Sequence, residues 1–212
     1  MEDSYKVIQL KENHRLYIDY DINAESPNDW DNDTVFLVFT HRDFDVQREG
    51  FIPIDIYNAL QEKSTEYDEY YVFPLFAYIH SGVSLSLNHN GDRFDTSSTG
   101  FVLVKKEGHS EDEGRAKGKA QEMANNLIDV WNKYLSGQVF RYTLVQVRHY
   151  VKVSFPLKSE EEIIKDLHNS DSFEEEEEDV DSCGGFYSLE DMLDYISDKL
   201  LDEEIRKEFN NN

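Results

Sequence analysis

Residues 70–106 constrain the fold more than any other stretch, because apolar segments and turn residues alternate through it. The longest apolar run of the chain falls at 72–79, and its aromatic and aliphatic side chains are typical of a buried strand. Pro74 inside this run predicts either an edge position or a bulge. Gly82 then marks a turn. The apolar positions of 83–87 alternate with polar ones, and 101–105 form a further strand, so we expect a contiguous antiparallel group.

The remaining segments add strands and helices around this group. Alternation at 5–10 and 16–20 predicts a hairpin, and the apolar segment 34–40 predicts a central strand covered on both faces. A late hairpin is expected from 140–144 and 150–155. Helical spacing and capping residues predict helices at 54–63, 115–135, 159–168 and 188–207. The fold class is therefore α+β: a single domain, 1–212, with a mainly antiparallel sheet of about six to eight strands, one long packed helix and an acidic C-terminal helix.

Charge narrows the range of partners. Lys and Arg number 21 against 45 Asp and Glu, which gives a net charge of -24. Repulsion disfavours direct binding to nucleic acid or to an anionic membrane and favours a basic protein partner. A lone cysteine, Cys183, and an N-terminus without the features of a secretory signal favour the cytoplasm. No apolar run reaches the roughly 18 residues that a membrane-spanning helix needs.

Acidity is concentrated near the C-terminus, where residues 158–212 carry 20 acidic and 5 basic side chains. The acidic run predicts a mobile loop over 169–180, because like charges repel each other. In the last helix, four aspartates fall opposite the apolar face. The candidate partner-binding residues are therefore Glu174, Glu175, Glu176, Glu177, Glu178 and Asp179 in the run and Asp191, Asp194, Asp198 and Asp202 on the helix.

Two interpretations of these acids stay open. Carboxylates one helical turn apart are separated by about 6 Å, so the row resembles the regular negative charge of a phosphate backbone and could act as its mimic. Alternatively, the charges are solvated and only keep the protein soluble.

A second cluster lies within sixteen positions around the 80–95 hairpin. Its side chains could converge on a metal or a phosphate-like group, or could act as buried hydrogen-bonding residues that fix the loop. These residues are His80, Ser81, His89, Asp92 and Asp95. Their spacing matches no metal-site pattern in which two ligands share one helical face. We expect no bound metal and no other cofactor. Cys183 lies in an acidic neighbourhood, which predicts a buried structural thiol and not a nucleophile.

Several blocks, taken as a set, resemble an uncharacterised family of proteins encoded by bacteriophages and mobile elements. They are SPNDWDND (26–33), YIHSGVSLS (78–86), FDTSSTGFVLV (94–104), NKYLSGQVFRYTL (132–144) and DSCGGFY (181–187). The chain departs from the usual form in its 94–100 turn and at Gly184, where an aromatic residue is common. The family carries no established activity, so the resemblance implies a phage context and assigns no residue a catalytic role.

These observations favour a phage-encoded acidic inhibitor of a host nucleic-acid-handling protein, of the restriction or CRISPR effector type, acting in the host bacterial cytoplasm. The alternative is a metal-dependent enzyme or metal-binding protein centred on the 80–95 hairpin. A third hypothesis is an accessory protein that binds some other regulator.

Overall fold

The computed structural model of the chain describes residues 5–10, 13–30, 32–89, 96–106, 113–151, 159, 161 and 173–200. Over these residues it contains eight strands and three α-helices, with a 3-10 turn at Pro27–Asp29. The strands are β1 Lys6–Gln9, β2 His14–Tyr20, β3 Val35–Phe39, β4 Tyr70–Ile79, β5 Val83–Ser86, β6 Thr96–Lys105, β7 Phe140–Val151 and β8 Phe173–Phe186; the helices are α1 Pro53–Glu62, α2 Glu113–Leu135 and α3 Leu189–Leu200. All strand pairs are antiparallel, which confirms the α+β class with a mainly antiparallel arrangement.

The contacts divide the chain into two compact units. Unit 1 combines Met1–Ile22 with Val139–Asn212, and unit 2 is Asn23–Gln138. Each unit has its own four-stranded sheet, in the order β1-β2-β7-β8 in unit 1 and β3-β6-β4-β5 in unit 2. The late hairpin expected from 140–144 and 150–155 is wrong, because residues 140–151 form one continuous strand, β7. This strand pairs with β2 and β8 and so does not extend the sheet of unit 2.

The sheet of unit 2 is covered by a helix on each face. The long helix α2 packs Ala120, Ala124, Leu127, Ile128 and Trp131 against one face. On the other face, Ile56 and Ala59 of α1 pack with side chains from β3 and β6, namely Phe36, Val38, Phe101 and Leu103. The helical spacing that predicted α1 and α2 is thus confirmed, with boundaries within two residues.

Two expectations for unit 2 need refinement. β3 is buried on both faces as expected, but it lies at the sheet edge and not at its centre. A backbone bridge between Phe39 and Val46 shields part of that edge. Pro74 lies in the inner strand β4, just before the register shift between Leu75 and Ala77. Since β5 pairs with β4 only from Phe76 onward, the missing N–H of Pro74 costs no bond to β5.

Unit 1 packs α3 against its sheet. Its core joins side chains of β1, β2, β7 and α3; these are Ile8, Leu16, Ile18, Tyr142, Leu144, Met192, Leu193 and Ile196. The helix begins after Ser188, whose Oγ accepts the N–H of Asp191 at 3.3 Å, as its N-cap position predicted. The expected helix at 159–168 and the end of the last helix, 201–207, lie outside the described residues apart from 159 and 161.

Candidate acidic interaction surface

The acidic run forms part of a regular strand. The mobile loop expected over 169–180 is wrong for residues 173–180, which belong to β8, while 169–172 lie outside the described residues. β8 pairs with β7 along its length, with Glu174 opposite Tyr150 and Glu178 opposite Gln146. Residues 174–180 are all exposed. Because side chains alternate along a strand, Glu175, Glu177 and Asp179 share one face, and Glu174, Glu176 and Glu178 the other.

Cations from other strands explain why six consecutive acids adopt one strand. The guanidinium of Arg15 on β2 donates to Glu175 Oε2 at 3.1 Å and also to Glu177, and Tyr17 Oη donates to Glu177 Oε1 at 2.6 Å. Hydrogen bonds with Tyr17 and Glu175 raise the pKa of Arg15 above its ordinary value. The side chain of Arg15 therefore reaches across β7 and offsets the repulsion on that face.

Residues of β7 also contact the acids of β8, on both faces. Arg148 forms an ion pair with Glu178 on the second face, and His149 Nδ1 lies 3.7 Å from Glu175 Oε1 on the first face. Within the part of the chain that the structure describes, Glu176 and Asp179 are in no ion pair. The strand thus keeps exposed negative charge while its geometry is fixed by cations on its neighbours.

The outer edge of β8 presents main-chain hydrogen-bonding groups. Val147 donates its N–H to the carbonyl of Asn13, at 2.6 Å, and so its main chain faces away from β8. In an antiparallel pair, the two residues opposite each other either both point their N–H and C=O groups toward the partner strand or both point them away. Glu177 lies opposite Val147, so its main-chain groups point away from β7. The same holds for Glu175, two residues away on β8. No strand other than β7 pairs with β8 among the described residues, so these groups line an open, acidic sheet edge.

The predicted aspartate ridge on α3 is only partly present. Asp191 and Asp198 are exposed, but Asp194 is half-buried with its Oδ1 shielded from solvent. Asp202 lies outside the described residues. Helical spacing places Asp194 away from the apolar face, and nothing in that spacing explains its burial. The exposed acids of α3 therefore do not form the continuous row that the spacing predicted.

A charged triad secures α3 to the sheet. Lys199 Nζ lies 2.7 Å from Asp181 Oδ2, and Tyr142 Oη donates to the same oxygen at 2.6 Å. These two hydrogen bonds, that of Lys199 first, lower the pKa of Asp181, while burial raises that of Tyr142. The rings of Tyr142, Phe186 and Tyr195 pack together beside the triad. These contacts connect α3 to β7 and β8 and thereby stabilise unit 1.

The DSCGGFY block is explained by local structure. A Cβ at Gly184 would overlap with the Asp21 carboxylate, and Gly185 has φ +80°. The N–H of Gly185 donates to Asp21 Oδ2 at 2.9 Å. Cys183 is partly buried and packs against the core of unit 1, close to the structural role expected of it. The block therefore shapes a bulge in β8.

The 80–95 cluster is only partly described. His80, Ser81 and His89 are exposed, whereas Asp92 and Asp95 lie outside the described residues. The ring of His89 packs edge-on to Phe76 at 5.5 Å between centroids, and that of His80 lies 6.3 Å from Tyr78. The two imidazoles therefore contact different positions on β4. Within the described ranges, no group of three His, Cys, Asp or Glu side chains could hold a metal ion.

Sequence reasoning missed an apolar groove in unit 2, beside α1. It has a volume of 410 Å³ and is lined by Thr40, Ile52, Pro53, Ile54, Tyr57, Ser98, Thr99 and Phe101. The signal available in the sequence was Ile54 and Tyr57, two apolar residues of α1 that lie outside its buried pair, Ile56 and Ala59. They extend the apolar arc of the helix beyond what the sheet can cover.

Comparison with known proteins found no match among family models, curated proteins or solved structures. In addition, none of the helices in the described ranges combines the length and apolar character needed to cross a lipid bilayer.

Proposed function

We propose that the protein is an acidic inhibitor, encoded by a phage or mobile element, that binds a basic nucleic-acid-handling protein of its bacterial host, such as a restriction or CRISPR effector. The observation that carries this proposal is the open edge of β8, where exposed carboxylates accompany outward-facing main-chain groups. The net charge of -24 adds long-range attraction toward a basic surface.

Strand addition is the binding mode that this edge supports. An extended segment of the partner pairs with the main chain of β8, while its Lys and Arg side chains meet the carboxylates on either face. Carboxylates two residues apart on one face are separated by about 6.6 Å, a regular spacing of negative charge that also suits a phosphate-binding surface. Arg15 and Arg148 hold the strand in shape before the partner arrives, which limits the ordering cost of binding.

Affinity purification of the tagged protein from host lysate, with mass spectrometry, tests the proposal. At low salt we expect a basic, nucleic-acid-binding protein to be retained, and most of it to be released by about 0.5 M NaCl because salt screens the attraction. Retrieval of no such protein at low salt would contradict the proposal. Inhibition is then measured as loss of nucleic-acid binding by the captured protein.

Charge variants show whether β8 is the contact. Glu176→Gln combined with Asp179→Asn removes two charges from β8, and we expect affinity for the captured protein to fall about tenfold at low salt. The matched control removes two exposed charges from unit 2, by Glu66→Gln with Asp68→Asn, and changes affinity less than threefold if net charge is a minor contributor. Equal losses in both pairs would mean that β8 is no specific contact.

The main chain of β8 is tested separately at Glu175. Glu175→Pro removes an N–H that faces away from β7, so the strand can keep its pairing, and we expect strand addition to be lost. Glu175→Thr removes the same carboxylate but keeps the N–H and suits a strand. If Glu175→Thr still binds the captured protein and Glu175→Pro does not, the result supports strand addition. Equal affinities of the two variants would mean that side chains alone make the contact.

A further inference from the structure

We propose that the open edge of β8 selects an extended, antiparallel segment with Lys or Arg at every second position, and that these cations lie on the face of Glu176 and Glu178. This inference rests on the proposed function and names the sequence pattern that its binding site accepts. The site is the unpaired main chain of the strand, since an edge strand is a ready template for another chain. Within the described residues, no strand but β7 pairs with β8.

The direction of the main chain decides which side chains of the two strands approach most closely. The main-chain groups of Glu175 and Glu177 point outward, so a residue of the added strand opposite either of them exchanges two hydrogen bonds with it. A residue opposite Glu176 makes no such bonds, because the main chain of Glu176 faces β7. In an antiparallel pair these unbonded positions are the closer ones, with Cα atoms about 4.5 Å apart against about 5.5 Å. The acids of the second face, at 174, 176 and 178, therefore lie nearest to the side chains of a partner.

The two faces of β8 also differ in the charge that remains. On the first face, the guanidinium of Arg15 contacts two carboxylates, and its side chain is only 22% exposed. Asp179, the third acid of this face, lies next to the register shift of β8. On the second face, the cation is Arg148, which pairs with Glu178 and is 60% exposed. Glu176 is in no ion pair among the described residues, so the second face keeps negative charge at the centre of the open edge.

Charge identifies the occupant of the edge. A second copy of this chain, paired edge to edge through β8, would place acids opposite acids, and like charges directly opposite each other destabilise a pair of strands. A strand with Lys or Arg opposite the second face forms cross-strand ion pairs instead. Its intervening residues lie on the first face, where Arg15 repels a further cation. The pattern that fits is therefore a cation alternating with an uncharged residue.

Synthetic peptides of about seven residues, the length of the acidic segment, test the pattern. One peptide alternates threonine with three lysines, and a second of the same composition has its three lysines adjacent, which spreads them over both faces. NMR titration of the full-length protein at about 0.15 M NaCl, where attraction to distant charges is screened, measures the dissociation constants. We expect the alternating peptide to bind about fivefold more tightly than the adjacent one, with the largest changes in the amide resonances of 174–179. Equal affinities of these two peptides would overturn the proposed pattern.

Methylation of the peptide nitrogens identifies the face on which the lysines lie. If they lie opposite the second face, their N–H groups point away from β8 and those of the threonines point toward it. N-methylation of two lysines should then change the affinity less than about threefold, whereas N-methylation of the two central threonines should weaken it by about tenfold or more. Equal affinities of the two methylated peptides, or the opposite order, would overturn the proposal.

Glu176→Gln and Glu177→Gln form a matched pair of protein variants, because each removes one carboxylate and the two lie on opposite faces of β8. We expect Glu176→Gln to weaken binding of the alternating peptide about fivefold. Glu177→Gln should weaken it less than about twofold, since Arg15 already pairs with Glu177. Circular dichroism and thermal unfolding check that both variants keep the fold. An equal or larger loss in Glu177→Gln would contradict the assignment to the second face.

The peptide experiments do not depend on the identity of the host protein. If the peptides behave as expected but host lysate yields no basic, nucleic-acid-binding protein, the proposed function fails and the specificity of the edge stands. If lysate yields such a protein but the two methylated peptides bind equally, the proposed function stands and the assignment of the second face fails.

Discussion

Gly184 occupies a position where the main chain of β8 passes directly over a carboxylate. A Cβ there would overlap with Asp21, which accepts the neighbouring N–H of Gly185. The absence of a side chain at this position therefore has a physical cause in this chain. A glycine allows Asp21 to close the bulge.

Gly184→Ala should destabilise unit 1 by about 2 kcal/mol, because the methyl group displaces Asp21 from the bulge. Urea unfolding followed by circular dichroism measures the change. Gly82→Ala is the control, since a Cβ at Gly82 meets nothing within 4 Å. Combining Gly184→Ala with Asp21→Ala should cost less than the sum of the single changes, and strict additivity would argue against the clash.

Asp181 should make folding stability depend on pH. Its pKa is lowered by hydrogen bonds from Lys199 and Tyr142, so its carboxylate contributes stability above an unfolded pKa of about 3.9, and that contribution is lost as pH falls through the lower folded value. Asp181→Asn should cost about 1–2 kcal/mol near pH 7, and this cost should shrink below about pH 3. Asp198→Asn, at an exposed position of α3, the helix that carries Lys199, is the control and should leave stability near pH 7 unchanged.

At the scale of single elements, α2 secures the short strand β5 through one side chain. Asn132 Oδ1 accepts the N–H of Leu85 at 2.7 Å, and its Nδ2 donates to the carbonyl of Leu85 at 3.0 Å. The amide thus takes the place of a neighbouring strand at the outer edge of the sheet. Without this contact, the four residues of β5 would be held only by their pairing with β4, because β5 lies at the edge of the sheet.

Replacing Asn132 by Ala should therefore loosen β5. We expect a loss of about 1–2 kcal/mol for the two bonds and faster hydrogen exchange at the amide of Leu85. Asn125→Ala makes the same substitution at an exposed position of α2 and controls for helix propensity. Unchanged exchange at Leu85 in Asn132→Ala would show that the amide does not hold the strand.

Some helices and strands could be predicted from the sequence and others could not. Periodicity located α1 and α2, because each turns apolar residues toward one sheet at a spacing that is visible locally. β8 could not be found in this way. Its stability as a strand depends on Arg15, about 160 positions away, and on Arg148, and a run of acids alone predicts repulsion. The grouping of strands into two sheets was likewise hidden, since pairing partners are set by distant contacts.

On the scale of the whole molecule, unit 2 is an insertion within unit 1. The last residue of β2, Tyr20, pairs with the first of β7, Phe140, and Asp21 donates its N–H to the carbonyl of Val139 at 2.7 Å. The chain therefore leaves unit 1 and returns to it at adjacent points. Insertions of this kind are tolerated because the ends of the inserted unit lie close together.

Residues 23–138 should fold without the rest of the chain. Their core includes fourteen buried residues between α2 and its sheet, enough for independent stability. We expect cooperative thermal unfolding of the isolated segment and dispersed amide resonances. The complementary chain, with 23–138 replaced by a short Gly-Ser linker, should also fold. If neither does, the two units form the single domain that the sequence first suggested.

The insertion also has a consequence for synthesis of the chain. When β1 and β2 leave the ribosome, the residues that cover Ile8, Leu16 and Ile18 are still more than a hundred codons away, in β7 and α3. At about 5–20 residues per second, the first hairpin waits several seconds or longer with its apolar side uncovered, while unit 2 can finish folding. The hairpin of β1 and β2, although synthesised before unit 2, would then reach its native state after it, and for that interval its apolar side is open to binding by a chaperone.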